Sequence, residues 1–205
     1  MAQRHHYGSF NSHNRKTCGL GIKTSSGKLG AETVSALIKL MEHHHIDFVR
    51  LTPTQDFLLL GLKKNSLPEV IEGLHALDLQ TAPGPLRLHS TACTGLTYCK
   101  FALSETKEFT EQLLKRLEQR FPEWEKPLTI AVSGCSHGCS HPFVADIGLV
   151  GCKIKDPSGE SVSGYDIYLR GRLNGTDSRF AERNGIRLPS YAVAGYLENL
   201  LEQLS

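Results

Sequence analysis

The sequence predicts an α+β protein: an antiparallel sheet carrying two helices, followed by a mixed α/β domain. Three observations carry this reading. From Gly19 to Leu79 the apolar pattern runs strand, helix, strand, strand, helix, an order that lays two helices on an antiparallel sheet. The run Thr81-Ala82-Pro83-Gly84-Pro85 then punctuates the chain as a linker. Beyond it, long helical stretches alternate with short strands up to a terminal amphipathic helix.

The elements follow in order. Gly19 to Gly30 reads as a short strand and a glycine-rich turn. A helix is expected from Ala31 to His44, because Val34, Leu37, Ile38 and Met41 recur at helical spacing. Ile46 to Leu51 alternates as a strand broken by Pro53, and the continuous apolar run Phe57 to Leu62 fits a buried strand. Ser66-Leu67-Pro68-Glu69 has the form of a capping box, with proline in the first turn of a helix that runs to Leu77. After the linker, Leu96 to Arg120 is expected to be helical and to end at Pro122. Leu128 to Val132, Val144 to Val150 and Tyr165 to Leu169 read as strands, with Asp156-Pro157-Ser158-Gly159 as a turn. Pro189 opens the last helix, with Val193, Tyr196, Leu197, Leu200 and Leu201 as its apolar positions. The first 17 residues are rich in Asn, Ser and His and read as a flexible or extended arm.

Bulk composition narrows the function classes. The chain has 205 residues, enough for one large domain or two small ones. A 40% hydrophobic share builds a normal core without disulfides. The net charge of +2 gives no electrostatic argument for nucleic acid or for a membrane surface. No apolar run reaches the roughly 20 residues that span a bilayer. The start has no apolar run of the signal-peptide kind. The expected setting is therefore a reducing cytoplasm, where cysteines serve metals or chemistry more often than disulfides. The His43-His44-His45 run reads as a solvated helix end, with a metal tract as the alternative.

Four of the six cysteines stand in two close pairs: Cys93 and Cys99 spaced C-x5-C, and Cys135 and Cys139 spaced C-x3-C. Zinc accommodates the second spacing and fits the first loosely. Neither pair has the redox C-x-x-C form. An iron–sulfur cluster on four thiolates fits the set, with Cys93 and Cys99 expected at a helix start where backbone N–H groups offset the anionic charge. The spacing alone leaves cluster, zinc and unrelated buried cysteines open. Gly134 and Gly138 precede the second pair's cysteines and permit a tight turn that a large flat ligand can approach.

Taken in order, FVRLTPTQDFLLLGL, ACTGLTYCKFALSETK and VSGCSHGCSHPFVADIGLVG resemble the nitrite/sulfite reductase family, whose members carry a 4Fe–4S cluster coupled to sirohaem. The resemblance runs from about Cys18 to the last helix. It implies a ferredoxin-like α+β half-domain over 18–80 and a 4Fe–4S/sirohaem-binding domain over 81–205. It implies that Cys93, Cys99, Cys135 and Cys139 bind the cluster, with Cys139 also axial to the sirohaem iron. Arg50, Thr52 and Gln55 match the family's R-x-T-x-x-Q segment and are implied to face the macrocycle, together with Asp56. His137, Gly138, Ser140 and His141 flank the implied bridging thiolate. The implied activity is reduction of a small inorganic anion, sulfite to sulfide or nitrite to ammonia, with electrons from a donor such as ferredoxin.

The chain also departs from the family pattern. The large members carry two copies of the unit, with the cysteines in the second; this chain is a single unit that resembles that C-terminal copy or a small sirohaem sulfite reductase, with a homo-oligomer or a partner subunit supplying the missing unit as the alternative. Thr54 stands where the first copy carries an arginine, no K-x-K segment is present, and Asp56 replaces the usual asparagine. The second turn reads CSHGCSH in place of C-P-N-x-C-G. Lys23, beside the glycine-rich turn, is the remaining candidate for an anion contact, with a solvated lysine as the alternative. Lys100, Lys107, Lys115, Arg116 and Arg120 give the long helix a basic side, read as solvation or as a dock for an acidic donor. Two other readings stand beside the enzyme: an iron–sulfur electron-transfer or cofactor-carrying subunit, and a zinc-stabilised binding module.

Overall fold

The computed structural model describes residues 7–13, 16–173 and 175–204. The chain divides into two compact units at Pro83/Gly84.

The first unit is an antiparallel sheet with helices on one face. Its elements are β1 (Gly8–Asn11), β2 (Thr17–Ile22), α1 (Ala31–His43), β3 (Phe48–Leu51), β4 (Phe57–Lys63) and α2 (Leu67–Ala76). The strand order is β1-β2-β4-β3, and every neighbouring pair is antiparallel. Leu20, Ile22, Phe57, Leu59 and Leu62 from the sheet meet Leu37 of α1 and Val70 and Leu74 of α2 in one buried cluster. Close packing is what makes Gly19 glycine: a Cβ there would lie 2.3 Å from the Phe10 ring.

The second unit places two helices against a mixed sheet. Its elements are the short α3 (Pro85–Leu88), β5 (Ser90–Ala92), α4 (Lys107–Arg120), β6 (Ile130–Ser133), β7 (Ile147–Lys155), β8 (Ser161–Leu169), β9 (Glu182–Pro189) and α5 (Ser190–Glu202). The order is β5-β6-β7-β8-β9. β5, β6 and β7 run parallel, and β7, β8 and β9 antiparallel. Leu113 and Leu117 on α4, and Val193, Leu197 and Leu201 on α5, repeat at one-turn spacing. They bury against Ile130, Val132, Ile147, Leu149 and Ile167. The α+β class and the sequence of an antiparallel and then a mixed sheet are as the apolar pattern predicts.

Several expectations change. The arm contributes β1, whose residues pair with Cys18–Gly21 of β2; residues 1–6, 14 and 15 lie outside the described ones. Ser66 closes a short 3₁₀ turn and makes no side-chain cap, so the capping-box form is not realised. The helix expected from Leu96 begins only at Lys107. Gly95 has φ +73°, and the Leu103 and Ser104 amides donate to the Gly134 carbonyl. Those amides are claimed by the neighbouring loop rather than by a helix. β9 was not expected, because Glu182, Arg183 and Asn184 are exposed and give no apolar alternation.

Candidate functional site

The two cysteine pairs are delivered by the topology of the second unit. β5 and β6 are parallel neighbours, with Ala92 beside Val132, so both end at the same edge of the sheet. The residue after β5 is Cys93, and Gly134-Cys135 follow β6. Carboxyl ends of adjacent parallel strands are where such sheets build ligand sites. The Cys93 amide donates to the Val132 carbonyl at 2.9 Å, which continues the strand pairing into the loop.

Around Cys93 the loops are tied together. The Gly134 amide donates to Cys93 Sγ at 3.1 Å, which ties the two loops to each other. Thr106 Oγ1 donates to the Cys93 carbonyl at 2.7 Å, and Thr106 holds the N-cap position of α4 without a side-chain cap hydrogen bond. The first pair therefore does not stand at a helix start as expected; α4 begins at Lys107 and meets it through Thr106. Thr106 and the Gly134 amide were missed at the sequence level; Thr before the amphipathic run Lys107-Glu108-Phe109 was the available signal. Gly134 has no room for a side chain, since a Cβ would lie 2.9 Å from the Ser104 carbonyl oxygen.

The second pair lies in a tight turn. Gly138 has φ +66° and His141 φ +62°. A Cβ on Gly138 would meet the Phe143 ring at 2.6 Å. Ser140 is buried; its hydroxyl lies 2.7 Å from Ser133 Oγ, and its carbonyl accepts from Thr91 Oγ1. Ser140 thus fixes the turn to β5 and β6. His137 Nδ1 stands 3.3 Å from Cys135 Sγ, with its ring 5.4 Å from that of Phe101. His141 is exposed, and Cys139 is the exposed thiol of the four.

All six cysteines are free thiols. Burial pushes the Cys18 and Cys152 thiols up from their ordinary range. Among the described residues, no three His, Cys, Asp or Glu side chains converge around a point a single ion would occupy. One tetrahedral zinc needs its thiolates within about 4 Å of each other, given bonds of about 2.3 Å. A cluster in which each thiolate takes its own iron spreads them further. Four free thiols in two pairs are a donor set of the kind a 4Fe–4S cluster takes.

The R-x-T-x-x-Q segment lies in the first unit. Arg50 is exposed on β3, and among the described residues its guanidinium has no hydrogen bond or ion pair, which leaves it available to a ligand carboxylate. Thr52, Gln55 and Asp56 build the turn that follows. The Asp56 amide donates to Thr52 Oγ1 at 3.1 Å, the Gln55 amide donates to the Thr52 carbonyl, and Gln55 has φ +67°. Asp56 is buried and accepts from the Thr24 amide at 3.0 Å, from Lys23 Nζ at 3.2 Å and from the Tyr7 hydroxyl. Lys23 is therefore neither a solvated lysine nor an open anion contact: it is 5% exposed and holds Asp56. An unpaired buried ammonium is costly, so burial selects the pair.

Two of the basic side chains of α4 are held in ion pairs. Arg116 pairs with Glu198 at 2.6 Å and Arg120 with Glu202, which ties α4 to α5. Arg172 pairs with Asp177 at 2.5 Å. Trp124 packs just beyond the end of α4, its indole N–H on the Lys126 carbonyl at 2.6 Å.

Free thiols on two adjoining strand-end loops define a chain equipped for a soft-metal centre. Comparison with known proteins carries this further. Residues 12–77 match the nitrite/sulfite reductase ferredoxin-like half domain and residues 84–202 the nitrite and sulphite reductase 4Fe-4S domain. The chain belongs to the nitrite/sulfite reductase family. It is 34% identical over 168 residues to sulfite reductase [ferredoxin] 2 of Mycolicibacterium paratuberculosis, covering 80% of this chain and 30% of that protein. It is 33% identical over 174 residues to ferredoxin–nitrite reductase of Synechococcus elongatus, covering 83% of this chain and 33% of that protein. The structure of the Mycobacterium tuberculosis NirA protein superposes with a TM-score of 0.90 at 29% identity, over 96% of this chain and 37% of that one. The chain thus spans about a third of the length of these relatives.

Proposed function

We propose that this chain is an oxidoreductase that reduces sulfite to sulfide, or nitrite to ammonia, at a sirohaem joined to a 4Fe–4S cluster. The observation that carries the reading is the pairing of the two cysteine loops, with the Gly134 amide on Cys93 Sγ, inside a segment matching a 4Fe-4S domain. Cys93, Cys99, Cys135 and Cys139 would hold the cluster, and Cys139, the exposed thiol, would be shared with the sirohaem iron. The bound pair of cofactors supplies single electrons in sequence to the anion. The protein's part would be to place the thiolates, with the Gly134 amide on Cys93 Sγ, and to anchor the macrocycle's carboxylates with Arg50. His137 and His141 flank the shared thiolate and are placed to hydrogen-bond sulfur or a carboxylate, as such outer groups do when they tune a centre.

The same reading makes 18–80 the half-domain and 81–205 the cofactor-bearing domain, in the cytoplasm. No helix among the described residues is long and apolar enough to cross a membrane. Relatives named for ferredoxin support a ferredoxin-class electron donor. A second reading, a cofactor-carrying subunit without turnover of its own, rests on the same match to a 4Fe-4S domain.

Anaerobic purification and visible spectroscopy separate these. The enzyme reading expects isobacteriochlorin bands, turnover of sulfite or nitrite with a reduced viologen, and loss of cluster–macrocycle coupling in Cys139→Ser. Coupled spectra and full turnover retained in that variant would remove the bridging assignment. Full cofactor content without turnover would favour the subunit.

A further inference from the structure

Resting on the sirohaem reading above, we infer that Asp56 is a positioning residue: together with Lys23, Thr24 and Tyr7 it fixes the Thr52–Asp56 turn in the shape that receives the macrocycle. Asp56 is 3% exposed, and its carboxylate is enclosed from within the first unit. The Thr24 amide donates to Oδ1 at 3.0 Å. Lys23 Nζ, at 3.2 Å, and the Tyr7 hydroxyl both donate to Oδ2. A carboxylate so placed meets no bound group directly and acts through the backbone it holds.

That backbone joins two turns. The Asp56 carbonyl accepts from the Thr52 amide at 2.9 Å, and the Asp56 amide donates to Thr52 Oγ1 at 3.1 Å. From the other side, Thr24 Oγ1 donates to the Gln55 carbonyl at 2.8 Å and accepts from the Gly27 amide at 2.8 Å. Thr24 therefore staples the glycine-rich turn to the R-x-T-x-x-Q turn, and Asp56 holds the Thr24 amide. Gln55 sits at φ +67°, in the left-handed region that a residue with a Cβ rarely adopts. Such a conformation persists only where its surroundings over-determine it, and it clusters at sites whose shape is used. Thr52 and Gln55, the uncharged members of the segment, are the residues whose backbone Asp56 and Thr24 hold.

Lys23 explains why this position tolerates an acid. An asparagine, the residue of the family pattern, accepts from Thr24 and donates to the Tyr7 oxygen without bringing any charge. Asp56 brings a negative charge to the same place, and Lys23, 5% exposed, brings the opposite one. A buried charge is costly without its counterpart. The two side chains thus stand together where one neutral amide would serve, and the turn depends on both.

The test measures extractable sirohaem per folded chain, the visible spectrum of the bound macrocycle and the urea midpoint, on the full chain produced with a sirohaem supply. Asp56→Ala and Lys23→Met are each expected to carry at least tenfold less sirohaem than the unaltered protein. The neutral pair, Asp56→Asn with Lys23→Met, is expected to restore it to within twofold. Leu74→Ala, in the buried cluster of the same unit, controls for stability: its urea midpoint is expected to fall while its sirohaem stays. Full sirohaem in folded Asp56→Ala, no rescue in the neutral pair, or an equal loss in Leu74→Ala would each overturn the positioning role. An unaltered protein that takes up no macrocycle would instead overturn the sirohaem reading, and the positioning role with it. Where Asp56→Ala fails to fold, Tyr7→Phe decides, because it removes one hydrogen bond from Asp56. A shifted macrocycle spectrum or at least threefold less sirohaem supports the role, and an unchanged spectrum and content contradict it.

Discussion

At the scale of single residues, the site rests on groups whose roles differ from their appearance in sequence. Lys23 beside a glycine-rich turn suggests an anion contact, but its ammonium is buried on Asp56. Only the fold shows this, because the two residues come together across β2 and β4. Asp56 in turn gathers Thr24 and Tyr7, so its substitution for the family's asparagine brings a charge that Lys23 neutralises. Removing one member of a buried ion pair leaves the other uncompensated, at a cost of about 3–5 kcal/mol. Asp56→Ala is expected to lose stability on that scale in a urea titration, and Asp56→Asn, which loses the ion pair but keeps the side-chain volume and one acceptor oxygen, to lose less. The cysteine spacing, by contrast, was legible from the start, because ligands on short loops are close in sequence.

Two tyrosines extend the residue-scale argument to pH. Burial, and then the hydrogen bond to Asp56, raise the Tyr7 phenol far above its ordinary value. Burial likewise raises Tyr165, whose hydroxyl donates to the Glu105 carbonyl. A folded-state value above the unfolded one, about 10, contributes stability that is complete below pH 10 and lost as pH rises beyond it. Of the six tyrosines, two are therefore expected to be missing from the phenolate absorbance near 295 nm until the protein unfolds in alkali. Tyr7→Phe and Tyr165→Phe should each remove one late-titrating group. Six phenols titrating together in folded protein would contradict the burial of this pair.

At the scale of elements, apolar periodicity located α1, α2, α5, β4 and β8 because each buries one regular face. It overran at α4, where Leu96 to Thr106 carries helix-forming residues whose amides are taken by Gly134 and its neighbours. It missed β9, whose outward side chains are charged and whose pairing is set by β8 alone. The join of α4 to α5 shows which interactions matter. The Arg116–Glu198 pair is half exposed on the arginine side, so Arg116→Ala is expected to cost less than about 1 kcal/mol. Leu117, fully buried between α4 and the sheet, should cost about 2–5 kcal/mol when cut to alanine. Thermal melts of the two variants check the order, and a larger loss from Arg116→Ala would reverse it.

At the scale of the whole molecule, the chain carries one half domain and one 4Fe-4S domain, where relatives are about three times as long. Arg50, with no partner among the described residues, remains the cation best placed for a macrocycle carboxylate, so Arg50→Ala is expected to lower sirohaem retention while leaving iron–sulfur content intact. The measurement that tests the account most directly is the iron, acid-labile sulfide and zinc content of anaerobically purified protein, with extraction of its macrocycle. The account predicts about four sulfides per chain, iron in slight excess over sulfide, and an extractable isobacteriochlorin. Zinc in stoichiometric amount, with neither sulfide nor macrocycle, would contradict it.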